Sequence, residues 1–448
     1  MPTPAFETSP SSSTAFIAAP PKPLDGFAPE EFRARRDALR ATCPDGIILL
    51  RGSTEDEVVK PVNFRQNTAF WYLTGVETPG AFLVLLPEGI SARAGNKDLA
   101  PEVREVLYLP ARNATTETWT GPKLGPGEET QTATGIARVL EAGGLWGALQ
   151  AWIGRNPIVY TLAPFGENAR LTPAHALMQR LQNLAPIVQF RDLTLALARL
   201  RMVKSPAEQE RLRQAIAITQ EGQRAARKLI TTHSVTHEHE VEAAIYAAFR
   251  NRGAHLGFAS IVGGGINGSV LHYEDNDQPL RAGDAVVVDI GARFGHYTGD
   301  ITRTYPVGGT FSPRQRELYA LVLDAHERAI SGYRPGQDTL LDLTDRCKAF
   351  FKDSPLHGVD SSGKEQTLDV FMPHGLSHHL GLDVHDLGDR ELPLAPGNVI
   401  TIEPGLYIPS EGIGIRIEDD YLVTETGLER LGPPLEKTLA EIETSGSG

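Results

Sequence analysis

Two stretches of this chain repeat one pattern. Residues 280–291 read LRAGDAVVVDIG and residues 394–405 read LAPGNVITIEPG. Leu280 matches Leu394, Gly283 matches Gly397, Asp284 matches Asn398 and Gly291 matches Gly405. Each copy sets one acid in an apolar, strand-like run, Asp289 in the first and Glu403 in the second. Each then carries another acid on a returning strand, Asp300 in GHYTGDITRTYPV and Glu418 in GIGIRIEDDYLV. Burying an isolated carboxylate among Val and Ile is costly, and four such acids brought together repel one another. The repeat therefore constrains the chain to paired hairpins gathered around something cationic. A pair of divalent metal ions is the simplest candidate.

The spacing supports that arrangement. Asp289 and Asp300 centre on Phe294–Gly295, and Glu403 and Glu418 centre on Ser410–Glu411 within PSEG. A hairpin turning at each midpoint sets the two acids of a pair opposite each other. Directly opposed side chains on one face have Cβ atoms roughly 5 Å apart, which suits two carboxylates holding shared cations.

At 448 residues the chain exceeds a typical single core, so two domains are expected. Residues 1–23, rich in Pro, Ser, Thr and Ala, read as a disordered extension without the basic start and apolar core of a signal peptide. Residues 24–190 read as an α/β unit and residues 191–440 as a second, α+β unit. Residues 441–448 read as a flexible tail. The net charge of −13 argues against nucleic acid or an anionic membrane as the main partner. No uninterrupted apolar run approaches a membrane span. The two cysteines, Cys43 and Cys347, form no disulfide framework and suit a reducing compartment, so cytoplasm is the expected location.

In the first unit, EEFRARRDALRAT predicts an opening amphipathic helix, and GIILLRG, AFWYLTG, AFLVLLPEG and EVLYLP predict strands between Gly and Pro breaks. PIVYTLAP and a helix around AHALMQRLQNL follow. Phe70, Trp71 and Tyr72 are read as core. In the second unit, Ser205, Pro206 and Glu208 give an N-cap, a first-turn proline and a capping-box acid. They predict a helix to about Ile230, with others over 238–252, 313–331 and 338–352. The repeated hairpins imply two related halves about a pseudo-twofold axis, with the site at the seam.

Histidines cluster beside the second acid pair. His374, His378, His379 and His385 fall within PHGLSHHLGLDVHD, and His272 lies in GSVLHYEDN. Spacing alone does not say which one binds metal. One imidazole with four carboxylates makes a mainly oxygen site that suits Mn²⁺, Co²⁺ or Zn²⁺. Two such ions sharing carboxylates hold a bridging water and lower its pKa to give a hydroxide nucleophile. They also polarise a scissile carbonyl, while a protonatable carboxylate serves the leaving amine. This is equipment for amide hydrolysis. GGGING at 263–268 lacks the ending of a phosphate loop and is read as an ordinary loop.

The second unit resembles the pita-bread metallopeptidases, in their Xaa-Pro aminopeptidase (aminopeptidase P) and prolidase branch. The matching segments are IVGGGINGSVLHYEDN, VVVDIGARFGHYTGDITRTYPV, MPHGLSHHLGLDVHDLG, TIEPGLYI and GIGIRIEDDYLVT. FRQNTAFWYLTG and TTETWTGPKLG resemble that branch's smaller amino-terminal α/β domain. The resemblance implies metal ligands at Asp289, Asp300, His378, Glu403 and Glu418. By the same carry-over, Asp289 chelates one ion, His378 and Glu403 the other, and Asp300 and Glu418 bridge. Glu403 doubles as proton shuttle. His272, His374 and His385 fall on substrate-contacting positions, Arg416 and Thr302 on ligand-orienting ones, and Trp119 near the substrate entrance. The implied cofactor is two divalent ions, Mn²⁺ foremost, and the implied substrates are peptides with proline second. A homodimer or homotetramer is implied as well.

The leading expectation is an Xaa-Pro aminopeptidase. An Xaa-Pro dipeptidase (prolidase) or a carboxypeptidase-like relative is the alternative within the family. The metal-free relatives of this fold, a binding module and creatinase, lack the five ligands that this chain carries. His379, the connection between Tyr407 and Gly412, and the polar stretch 353–370 depart from the family pattern and are expected to bear on substrate length.

Overall fold

In the computed structural model, which describes residues 23–57, 64–163 and 172–443, the chain divides after Leu193 into two compact units. The predicted amino-terminal extension, apart from Pro23, and residues 444–448 of the predicted tail lie outside the described residues. The helix Leu439–Ile442, capped by the Thr438 hydroxyl, reaches into the stretch read as tail.

The first unit is built on a six-stranded mixed sheet. Its spatial order is Val139–Glu141, Glu105–Leu109, Phe82–Leu85, Ile47–Arg51, Ile158–Thr161, Gln189–Asp192. One predicted strand is wrong. Residues 69–74 belong to the helix Thr68–Thr74, which starts where Asn67 Oδ1 accepts from Phe70 N–H and is capped by left-handed Gly75. All but its first residue are buried, so the run shows no polar face from which a helical period could be read. Trp71 packs edge-on against Phe27 and Phe32, as befits core.

In the second unit, Ser205 and Glu208 form a reciprocal capping box that opens the helix Pro206–Thr231. Such a cap is worth about 1 kcal/mol. Buried Gln223 on this helix donates from Nε2 to Val288 O (3.0 Å) and Ile301 O (2.6 Å). It thereby clamps the strand Ala285–Ile290, which carries Asp289, to the strand Ile301–Pro306, which Asp300 immediately precedes. A Cβ on Gly299 would meet Thr219 Oγ1 at 2.9 Å and Ile216 Cα at 3.0 Å, so glycine lets the strand leading to Asp300 lie against the helix.

Two three-stranded sheets echo each other. One orders Ile301–Pro306, Ala285–Ile290, Ile261–Gly264, and the other orders Val399–Ile402, Asp419–Val423, Leu428–Arg430. In each, the two strands that bracket an acid pair run antiparallel. The helices Glu238–Asn251, Pro313–Ser331 and Leu340–Lys352 complete the unit. Chain halves related in this way form the pita-bread architecture that the repeat foreshadows.

The registers differ between the halves. The ladder Gly405–Ile408 with Ile413–Arg416 pairs Gly405 with Arg416. Its continuation sets Glu403 opposite Glu418. In the first half Asp289 instead pairs with Thr302. The turn there is made by Gly295 and His296, both at positive φ, so it lies later than Phe294–Gly295. Asp300, two before Thr302, is diagonal to Asp289 on the same face rather than directly opposed.

Candidate active site

A cavity of about 430 Å³ opens where the two halves of the second unit meet. Its walls include Asp289, Asp300, His378, Glu403 and Glu418, together with His272, His374, His385 and Arg416. Thr302 lies just behind the wall, fully buried. Trp119 is not part of the lining. It belongs to the first unit, on the short helix Ala114–Thr120, and is 85% exposed. His379 lines the cavity, whereas no residue of 353–370 and none between Tyr407 and Gly412 does. The polar stretch folds into a small hairpin, His357–Val359 with Glu365–Thr367.

The acids are crowded and dry. Asp300 and Glu418 are 4% and 2% exposed. Burial raises the Asp300 carboxyl well above the usual range, and Glu418, Asp289, Asp420 and Glu403 raise it further. Burial likewise raises Glu418, with Glu403 and Asp289 adding to it. Asp289 Oδ1 and Asp300 Oδ1 are buried with no hydrogen-bond partner among the described residues. Carboxylate oxygens in that condition are costly unless a cation meets them. Asp300, His378 and Glu418 each offer one ligand atom, all within 4.8 Å of one another. The donor set is therefore suited to divalent metal.

His378 is prepared for that role by its second nitrogen. Its Nδ1–H donates to His379 O at 3.0 Å, which leaves the Nε2 lone pair facing Asp300 Oδ2 (3.4 Å) and Glu403 Oε1 (3.5 Å). Thr401 supports both neighbours, accepting from His378 N–H (3.3 Å) and donating to Glu403 Oε1 (3.4 Å).

A directed chain of hydrogen bonds runs behind the acids. Arg416 Nη2 donates to Asp289 Oδ2 (2.5 Å), and its Nε donates to Thr302 Oγ1 (3.1 Å). Thr302 in turn donates to Glu418 Oε2 at 2.6 Å. Arg416 Nη1 donates to the Tyr407 oxygen (2.7 Å), whose hydroxyl donates to His374 Nε2 (2.9 Å). His374 Nδ1–H ends the chain on Gly375 O at 2.8 Å. Burial pushes the Tyr407 phenol up to about 12, so it remains a donor. Burial lowers His374 and His385, favouring neutral rings. The His385 ring lies 4.4 Å from that of His378, edge to face. His379 is buried with neither ring nitrogen partnered among the described residues, and burial pushes it down to about 4.

Tyr407, Thr401 and Asp420, which accepts from Asp300 N–H at 3.0 Å, are absent from the residues picked out by sequence. Thr401 alone had a legible signal. It precedes Glu403 by two in a strand and so shares its face.

Comparison with known proteins agrees with this geometry. Residues 210–425 match the model of metallopeptidase family M24, and residues 32–160 match that of the aminopeptidase P amino-terminal domain. The Xaa-Pro aminopeptidase of Escherichia coli K12 is 35% identical over 92% of this chain and 97% of its own length. The chain belongs to metallopeptidase family M24. Within the family, human Xaa-Pro aminopeptidase 3 is 32% identical, covering 86% of this chain and 77% of itself. Among solved structures, proline aminopeptidase P II from Yersinia pestis superposes with a TM-score of 0.78 at 31% identity, covering 93% of this chain and 98% of that one. Zn-substituted E. coli aminopeptidase P in complex with product gives 0.78 at 32%, covering 93% and 97%. This M24 member is a metallopeptidase that uses divalent metal. No helix among its described residues is long and apolar enough to cross a membrane.

Proposed function

We propose that this M24 member is an Xaa-Pro aminopeptidase that releases the first residue of a peptide whose second residue is proline. The observation that carries the reading is the pair of unpartnered buried oxygens on Asp289 and Asp300 beside the His378 Nε2 lone pair. Relatives bearing the same activity in their names align over nearly the whole chain.

In this reading Asp289, Asp300, His378, Glu403 and Glu418 would hold two divalent ions, with Asp289 serving one, His378 and Glu403 the other, and Asp300 and Glu418 shared between them. Mn²⁺ is the first choice on the oxygen-rich donor set. When bound, the metal pair supplies Lewis acidity toward the scissile carbonyl and acidity to water. The remaining work belongs to side chains. Glu403 takes the proton of the attacking water and delivers it to the prolyl nitrogen as the C–N bond breaks. His272 and His385 hydrogen-bond the substrate, and His374 is held against it by Tyr407. A prolyl amide has no N–H to offer, so a site that recognises the carbonyl and the ring is suited to it.

Two buried free cysteines fit a reducing compartment, and on that ground we place the enzyme in the cytoplasm. The amino-terminal domain supports a homodimer or homotetramer by analogy with the branch, which sedimentation of the purified protein decides. Trp119, solvent-exposed on the first unit, is kept as a candidate contact to substrate only on the same analogy.

The test is a paired hydrolysis assay of Mn²⁺-loaded protein on an Xaa-Pro dipeptide, an Xaa-Pro-Xaa tripeptide and an Xaa-Ala-Xaa control. Release of the first residue from the tripeptide is expected. Cleavage of the dipeptide alone identifies a prolidase instead, and release of the last residue identifies a carboxypeptidase.

A further inference from the structure

Glu238 is fully buried, with 0% of its surface exposed, and takes no part in the chemistry described above. It occupies the first position of the helix Glu238–Asn251, yet it does not cap that helix. Capping is done by Glu240, which accepts from Thr236 N–H (2.7 Å) and His237 N–H (2.9 Å). The Glu238 carboxylate points instead into the segment 264–278. Oε1 accepts from Gly264 N–H (2.9 Å) and Asn267 Nδ2 (3.2 Å), at the front of that segment. Oε2 accepts from the Tyr273 hydroxyl (2.8 Å) and Gln278 N–H (2.9 Å), at its rear. A single carboxylate thus joins both ends of the loop that the sequence shows only as GGGING and its sequel.

The middle of this loop is where it matters. Leu271 and His272 line the cavity. They lie between the Asn267 and Tyr273 contacts, so the stretch bearing His272 is fixed on both sides by the same group. Its front also rests on the strand Ile413–Arg416, where a Cβ on Gly414 would strike Gly268 O, and at its rear Gln278 O accepts from Glu238 N–H (3.0 Å). Asn276 ties its rear to the neighbouring strand through Val262 N–H and Ser260 O, both 2.8 Å. Ile266 and Val270 are exposed and contribute little packing. The anchor sits on a helix, far in sequence from the four acids of the cavity, which lie on or beside strands.

We infer that Glu238 is a positioning residue for catalysis, setting the placement of His272 against the substrate by stapling the loop 264–278. This rests on the reading of His272 as a substrate contact. Displacing a contact group by about 1 Å lowers turnover on the order of 100-fold. Glu238→Gln keeps the volume but replaces one acceptor oxygen with an NH₂ group that faces donors, so one end of the loop is released.

The experiment combines kinetics with amide hydrogen exchange. Wild type, Glu238→Gln, His272→Ala and the double variant are loaded with Mn²⁺, checked for metal content and assayed on an Xaa-Pro-Xaa tripeptide. Exchange is followed over 264–278 and, as reference, over the strand Ala285–Ile290. The expected result is a loss of kcat/KM on the order of 100-fold in Glu238→Gln at unchanged metal content. Exchange speeds up in the loop and not in the reference strand, and the double variant is no worse than His272→Ala. Equal fold-losses with and without His272, or loop exchange identical to wild type, overturn the inference. An active His272→Ala enzyme overturns the substrate role of His272, and the inference with it. The exchange data then show whether the staple itself was real. Should Glu238→Gln fail to fold, Tyr273→Phe removes one donor only. Its smaller loss must likewise vanish in the His272→Ala background.

Discussion

Arg416 Nη2 lies 2.5 Å from Asp289 Oδ2, and the same guanidinium reaches Thr302 and Tyr407. One buried cation therefore sets the direction of a carboxylate from the first half of the repeat, Asp289, and, through Thr302, of Glu418 from the second. A planar fork makes these contacts at once, which a lysine ammonium does not. Arg416→Lys is expected to lower metal affinity and kcat/KM by roughly 10- to 100-fold, with Mn²⁺ titration calorimetry of metal-free protein as the readout. Wild-type affinity in this variant removes Arg416 from the ligand-orienting role.

Asp300 and Glu418 are the acids whose burial and crowding most strongly disfavour charge. If both bridge the two ions, Asp300→Ala and Glu418→Ala each abolish turnover rather than slow it. Elemental analysis beside the tripeptide assay checks this. Near-normal cleavage by a variant verified to carry metal would refute the bridging assignment.

Much of this site is visible in the sequence because acids in Val- and Ile-rich runs are expensive and so conspicuous. Asp289, Asp300, Glu403 and Glu418 declare themselves that way, and the repeat also shows that the second unit has two related halves. The register of Asp289 and Asp300 is less legible. Their turn uses His296 in a left-handed conformation beside Gly295, a choice that no residue type announces. The helix Thr68–Thr74 was hidden because nearly every side chain in it is buried. Its N-cap Asn67 and C-cap Gly75 were the only local clues. Tyr407 and Glu238 act across the fold, on His374 and on the loop 264–278. Spacing along the chain carries no record of either contact.

Removing metal would leave four acids facing one another with the Arg416 guanidinium, paired to Asp289, as the counter-charge beside them. Metal that binds only the folded state stabilises it by RT ln(1 + [L]/Kd), about 2.7 kcal/mol at a hundredfold excess over Kd. In a domain of this size that corresponds to a rise of roughly 5 °C or more in melting temperature. Dialysis against chelator is expected to lower Tm by that amount, and Mn²⁺ is expected to restore it. Glu418→Ala should show a much smaller metal-dependent shift, as measured by calorimetric scans. An equal shift in that variant would mean that the stabilising ion binds elsewhere.

His326, which is not among the residues lining the cavity, offers a pH dependence of stability. It is fully buried, with Asp419 Oδ2 3.7 Å from its Nε2 and Lys437 Nζ 3.4 Å from its Nδ1. Burial lowers its pKa from 6.5 to about 3, with Asp419 opposing and Lys437, Arg303 and Arg430 assisting. The folded protein therefore keeps this ring neutral at pH values where the unfolded chain protonates it. When the unfolded state binds more protons, stability falls as pH falls. The contribution is intact above pH 6.5 and is lost progressively as pH drops toward 3. His255, also lowered by burial, adds to the same slope, so the informative quantity is a difference. Between about pH 6 and pH 4, His326→Gln should reduce the slope of unfolding free energy by up to one proton, about 1.4 kcal/mol per pH unit. Urea titrations at half-unit intervals measure it. Carboxylates shift as well, downward in Asp386 beside Arg201 and Lys204 and upward in Asp300, Glu418 and Asp420, and the difference between wild type and variant removes their share of the slope. Parallel stability curves for wild type and variant across the window would mean that His326 is protonated in the folded protein, with Asp419 prevailing over burial.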